Sequence, residues 1–191
     1  MKGINGREKF IAVSIDLFLE KGFNGTAMQD IANQLGLQAP TLYNYVKSKQ
    51  GLLQELLFEM VEKFEKGMAD IVESSYTPLE KLKAIIAMNV RLTAQHPHQV
   101  GLLVNEWKHL ESPHLEVFQE SRTHYESMFA AVIRQGMETG ELRQMDLDFM
   151  THSVLSSIRW LFQWYRPREE EINPIELERQ MIEFVLQGVA V

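Results

Sequence analysis

Residues 38–49, QAPTLYNYVKSK, gather two amides, two tyrosines and two lysines into one short stretch of an acidic chain. The chemistry available there is recognition, not bond breaking. Gln38 and Asn44 carry the paired donor and acceptor that match an adenine edge, and the small apolar surfaces of Ala39 and Thr41 suit a thymine methyl. Lys49 supplies a cation at the start of a long helix, where free N–H groups also favour phosphate. Signals for catalysis are thin. No G-x-S-x-G, phosphate loop, H-E-x-x-H or dinucleotide fingerprint occurs, and no carboxylate pair stands out for acid–base work. Glu106-x-x-His109 has the spacing used by carboxylate-bridged metal bundles, and Glu111-x-x-His114 repeats it across the helix-breaking Pro113. Such a site needs two more glutamates from facing helices, and none can be assigned. His96 and His98 flank a proline and are read as solvent-exposed. No catalytic residue, metal ligand or cofactor is therefore expected.

Short helices must position the 38–49 segment. Ile11, Ile15, Phe18 and Leu19 form an apolar stripe at helical spacing, ended by a turn from Gly22 to Gly25. Thr26-Ala-Met-Gln29 reads as a capping box, with the Thr26 hydroxyl accepting from the Gln29 N–H. It opens a short helix through Met28, Ile31, Ala32 and Leu35 that Gly36 closes. Pro40 suits the first turn of a third helix, which at about two turns is too short to stand alone. Leu42 and Val46 must hold it down, leaving Gln38, Ala39, Thr41, Tyr43, Asn44 and Tyr45 outward. Helices over 7–22, 27–35 and 39–46 are the parts of a helix-turn-helix domain.

The rest of the chain also reads as helix. Ser48 caps a long helix to about residue 74, and further helices are predicted over 78–95, to about 110, 114–139, 147–165 and from 174 onward. With no convincing strand alternation and no internal repeat, about nine helices make an all-α chain. The 191 residues, 45% of them apolar, are enough to bury a sizeable core. There is no cysteine, which excludes a disulfide framework and fits a cytoplasmic protein. The N-terminus lacks a signal-peptide apolar run, and no stretch is long and apolar enough to span a membrane. Residues 1–49 carry a net charge of +2 against −9 for the remainder, which points weakly to a polyanion partner at the N-terminus.

The stretches AVSIDLFLEKGFNGTAMQDIANQLGL and PTLYNYVKSKQGLL, within residues 10–57, resemble the TetR (tetracycline repressor) family of bacterial transcriptional regulators. The resemblance implies a DNA-binding domain over 1–48 and a ligand-binding and dimerisation domain over 49–191. It implies that Thr26 and Ala27 approach backbone phosphates. It places Gln38, Ala39, Pro40, Thr41, Tyr43, Asn44 and Tyr45 on the DNA-facing surface, with Lys49 on phosphate. Two departures bear on base preference: Gln38 stands where many members carry a capping Ser or Thr, and Tyr45 where histidine is common. The patterns VNEWKHLESPHLEVF and SSIRWLFQWYRP resemble a branch of the family that responds to coenzyme A thioesters.

In the body, Met88, Leu92, Leu103, Trp107, Tyr125, Met128, Phe129 and Trp160 are candidates for an apolar pocket, with Arg91 as its polar anchor. Arg159 and Arg166 are candidates for phosphate contacts with a coenzyme A moiety. Leu155, Ile158, Phe162, Tyr165, Leu177, Met181 and Phe184 spread over more than one face of the last two helices. They are the expected interface of a homodimer. A dimer would bind an inverted-repeat operator on double-stranded DNA, and a small hydrophobic or acyl-CoA effector would release it. The rival readings are a carboxylate-bridged metal enzyme built on Glu106 and His109, and a helical protein-interaction module with a tyrosine surface.

Overall fold

The structure, a computed structural model, describes residues 6–191; the first five residues of the expected N-terminal domain, with Lys2, lie outside the described residues. All nine expected helices are present, as ten α-helical segments among the described residues. They are α1 (Gly6–Lys21), α2 (Met28–Leu35), α3 (Ala39–Leu42), α4 (Lys49–Val72), α5 (Pro78–Gln95), α6 (Pro97–Asn105), α7 (His114–Thr139), α8 (Leu147–Arg159), α9 (Leu161–Tyr165) and α10 (Pro174–Val189). The extra segment arises because the helix expected over 147–165 breaks at Trp160 into α8 and α9. A 3-10 turn, Trp107–His109, follows α6. Among the described residues no strand forms, and a single antiparallel bridge between Leu142 and Ala190 ties down the C-terminus.

Capping explains several helix starts. Ser48 accepts from the Gly51 N–H at 2.9 Å, and Asn173 from the Ile175 N–H at 2.9 Å. Thr77 and Glu80 form the reciprocal box before α5. The box expected at Thr26 is displaced by one residue. Ala27 is the cap position of α2, and its N–H donates to the Asp30 carboxylate at 2.8 Å. Gly36 ends α2 at φ 68°, a left-handed conformation that a side chain would strain.

Three apolar clusters run along α4, whose 24 residues span about 36 Å. At its start Leu52, Leu53, Leu56 and Leu57 join Phe10, Phe18, Ile31 and Leu42 of the N-terminal helices. Midway, Met60 meets Val100 and Phe162. Toward its end Met68 enters the large cluster built from α5, α7, α8 and α10. Helix α6 wedges between α1 and α9. At Gly101 an added Cβ would lie 3.1 Å from a Leu19 methyl and 3.2 Å from the Phe162 ring. His98 Nδ1 lies 2.8 Å from an Asp16 carboxylate oxygen, a further α6–α1 tie. His98 and His96 are both half-buried rather than fully exposed. Burial, then the neighbouring Lys63 charge, holds His96 below the ordinary imidazole range.

The third helix is one α-turn, prolonged to Val46 by bonds from Tyr43, Asn44 and Tyr45 to carbonyls three residues back. Its stability comes from Leu42, which is fully buried. Leu42→Ala is expected to cost roughly 2–5 kcal/mol, read as a fall in Tm by calorimetry.

Candidate nucleic-acid interface and internal cavity

The surface around α3 divides the expected contact residues. Gln38, Pro40, Tyr43 and Asn44 are exposed, and Ala39 and Thr41 are half-buried at their base. Gln38 is the cap position of α3 with no side-chain cap bond, so its amide is not tied to the helix start. Tyr45 turns partly inward, its ring stacked on Phe10 at 5.4 Å. Three residues expected on phosphate are differently engaged. Thr26 is fully buried, and its hydroxyl donates to the carbonyls of Gly22 at 2.9 Å and Leu17 at 3.1 Å. Ala27 is exposed, but its N–H is taken by Asp30. The Lys49 ammonium donates to the carbonyls of Phe23 at 2.8 Å and Thr26 at 2.9 Å, and sits 4.3 Å above the Phe23 ring. The physical reason is common to all three: the α1–α2 turn has buried carbonyls that need donors, and these residues supply them or are held by the same turn.

The same turn is gripped from the other side by the Trp107–His109 segment. The Phe23 N–H donates to Glu106 Oε2 at 3.0 Å, and the Asn24 amide lies 3.2 Å from His109 Nδ1. The Phe23 and His109 rings stack at 5.9 Å, and the Gln50 amide donates to the His109 carbonyl at 2.7 Å. Glu106 and His109, the pair with metal-bundle spacing, are thus committed to the turn. Among the described residues no group of three potential ligands assembles around them.

Trp107, on that segment, also forms the wall of a half-open cavity of about 220 Å³. Its ring stacks on Phe118 at 5.6 Å, with the Arg122 guanidinium 5.6 Å from it. Leu103 and Tyr125 are the other expected pocket residues that line the cavity. Met88 packs instead against Gly67, and Phe129 is fully buried in the large cluster beside Met128. Leu92 is half-buried away from the cavity, and Arg91 is exposed and paired with Glu178 at 3.2 Å. Trp160 is 47% exposed on the outer surface, against Trp164. The wall has further members that were not expected there, among them Phe64, Asn89, Thr93, Val100, Arg122 and Ile158, the last expected at the dimer interface. One signal was available: Asn89 and Thr93 are polar residues one turn apart on the buried stripe of α5.

Tyr125 and Asn89 are joined within the cavity at 2.9 Å. Burial pushes the Tyr125 phenol up to about 12, against the opposing pulls of the Asn89 hydrogen bond and the Arg159 charge. Arg159 and Arg122 both hold Glu126, at 2.5 and 3.3 Å. Burial alone would raise the Glu126 carboxyl, but hydrogen bonds from Arg159 and Arg122 bring it below the ordinary range. Arg166 is exposed on a separate turn and does not line the cavity.

Six of the seven expected interface residues face the subunit's own interior. Leu155, Ile158, Phe162, Tyr165, Leu177 and Met181 are each 7% exposed or less, and only Phe184, at 66%, is outward. The outward apolar residues of α8 and the break after it are Phe149 and Trp160, three helical turns apart on one face.

A buried three-helix head with an exposed, amide-bearing third helix, fixed to a cavity-bearing helical body, defines a helix-turn-helix DNA-binding regulator. Two family models match the chain: "Bacterial regulatory proteins, tetR family" over residues 10–56, and "Tetracyclin repressor-like, C-terminal domain" over residues 75–189. The chain belongs to the TetR family, whose members here are transcriptional regulators and not enzymes. It is 26% identical to the transcriptional repressor KstR2 of Mycobacterium tuberculosis over 185 residues, 96% of this chain and 92% of that one. It is 21% identical to the fatty acid metabolism regulator protein of Bacillus subtilis over 95% of its length and 94% of that protein's. The solved structure of the M. tuberculosis ketosteroid regulator KstR2 superimposes with a TM-score of 0.90, at 25% identity, covering 98% of this chain and 96% of that one. AibR, solved with isovaleryl coenzyme A and operator DNA, shares the fold with a TM-score of 0.76 at 20% identity, over 93% of this chain and 97% of that one. Among the described residues no helix is long and apolar enough to cross a membrane.

The internal engagement of Lys49 has a measurable signature. Each lost phosphate contact lowers the salt slope of DNA binding by roughly one. Lys49→Met is therefore expected to lower Tm, by about 1.5–3 kcal/mol of stability for the charged hydrogen bonds lost. It should weaken DNA binding while leaving the salt slope unchanged, measured by fluorescence anisotropy across a salt series.

Proposed function

We propose that the protein is an effector-responsive repressor that binds an inverted-repeat operator as a homodimer. The carrying observation is the double role of the Trp107–His109 turn. Trp107 walls the cavity, while Glu106 and His109 beside it hold the α1–α2 turn of the DNA-binding head. A molecule that moves Trp107 must disturb that grip. It shifts the population only if it binds the displaced conformer better.

Operator reading is assigned to Gln38, Ala39, Pro40, Thr41, Tyr43 and Asn44, with Tyr45 at the margin. Dimerisation is assigned to the outer faces of α8 and α10, through Phe149, Trp160 and Phe184. At about 220 Å³ the cavity is smaller than the 300–1,000 Å³ or so usual for drug-sized ligands. That favours a short acyl or compact ring group. Arg122 and Arg159 on the wall supply cations for an anionic remainder such as a coenzyme A moiety. The isovaleryl coenzyme A complex of AibR, which shares the fold, supports the same choice.

The test is anisotropy with a panel of inverted repeats and random duplexes. Wild-type protein should prefer one inverted repeat, with affinity falling steeply as salt rises. Tyr43→Ala should lose that preference with its helical circular dichroism unchanged. Short acyl-CoAs should release the operator and raise Tm. A protein with no salt-sensitive preference for any repeat would overturn the repressor reading.

A further inference from the structure

The deep wall of the cavity carries hydrogen-bonding capacity that the protein does not use. Asn89 Nδ2 donates to the Ile85 carbonyl at 2.8 Å and to Tyr125 Oη at 2.9 Å. A backbone carbonyl only accepts, so this fixes the amide orientation and commits both amide hydrogens. Tyr125 Oη is therefore an acceptor in that bond, and its own proton is uncommitted. No acceptor for it occurs among the described residues, and none donates to Asn89 Oδ1. Thr93, one turn along α5, is 4% exposed and its hydroxyl has no partner among the described residues. The contrast with Thr151, whose hydroxyl donates to the Leu147 carbonyl at 2.7 Å, shows that a buried helical threonine need not be left so. The Tyr125 ring is braced edge-on by Phe64 at 6.2 Å, which holds the hydroxyl in place. At neutral pH the phenol stays protonated and can donate.

Polar atoms nine-tenths buried are ordinarily satisfied. Here Asn89 and Thr93, both buried, meet the half-buried Tyr125 at one side of a mainly apolar cavity, and their unused polar atoms open into it; the one fully buried side-chain polar atom without a partner among the described residues is Gln50 Oε1, elsewhere. We propose that the effector bears an oxygen function, a carbonyl or a hydroxyl, on its buried end, which accepts from Tyr125 and pairs with Thr93, and that a plain hydrocarbon end is rejected. A carbonyl takes both donors; a hydroxyl also returns its own proton to Asn89 Oδ1. Selectivity follows because an oxygen-free ligand displaces water from these groups and leaves them unpaired.

This inference rests on the cavity being the effector site, and the experiment separates the two. Cyclohexanone, cyclohexanol and methylcyclohexane are titrated into the full-length protein by calorimetry. The oxygenated probes are expected to bind about tenfold tighter than methylcyclohexane. That preference should fall to within about threefold in Tyr125→Phe, which keeps the ring, and fall partway in Thr93→Val. Cyclohexanone against cyclohexanol tells which oxygen function fits better. Equal binding of all three, or a preference that survives Tyr125→Phe, overturns the oxygen recognition and leaves the cavity as a ligand site. Failure of all three to bind overturns the cavity as effector site, and the inference with it. Operator binding retained by Tyr125→Phe serves as the check that the variant is folded.

Discussion

One ammonium group holds the architecture of the DNA-binding end together. Lys49 begins α4, the helix along which the three apolar clusters lie, and its Nζ reaches into the α1–α2 turn to satisfy two carbonyls while resting on the Phe23 ring. A charge placed there is stabilised by two acceptors and an aromatic face, and the acceptors are in turn relieved of a buried, unpaired state. The turn is thereby locked to α4 from one side. From the other side Glu106 takes the Phe23 N–H and His109 stacks on the Phe23 ring. The short helix α3 leans on this assembly through Leu42, so its position is inherited from the turn rather than set by its own few hydrogen bonds.

That arrangement makes the head and the body one mechanical unit. The core of the head includes Leu102, Leu110 and Phe118 from the body, and Phe118 also walls the cavity. Small displacements of packed aromatic groups are not absorbed locally in a close-packed interior. Trp107 and Phe118 belong to the same apolar cluster as Leu42 of α3. The cavity wall and the α1–α2 turn are thus connected by direct contact through one short segment, without a long relay.

Much of this was legible in the chain. The all-α class, the nine helices, the cap at Ser48 and the anchoring of α3 by Leu42 follow from periodicity and from local hydrogen-bond chemistry, which act over a few residues. The TetR resemblance was carried by motifs confined to the same short range. What failed was the choice between inner and outer face on the broadly apolar C-terminal helices. Leu155, Ile158 and Met181 were expected at an interface and lie in the subunit core, while Trp160, expected in the pocket, lies outside. An apolar helix with broad coverage has both faces available, and only the neighbours decide which one is covered.

The sequence by itself determined where helices start and stop, which short helix carries the exposed amides, and that no thiol or catalytic motif exists. These depend on residue type and spacing alone. The tertiary structure alone decided the partners of Thr26, Lys49, Glu106 and His109, and gathered Asn89, Thr93 and Tyr125 around one cavity. Those partners lie as much as 85 residues apart, as between Asn24 and His109. A polar side chain near the surface in sequence terms can be claimed by a buried carbonyl from a distant turn, and no local pattern announces that claim.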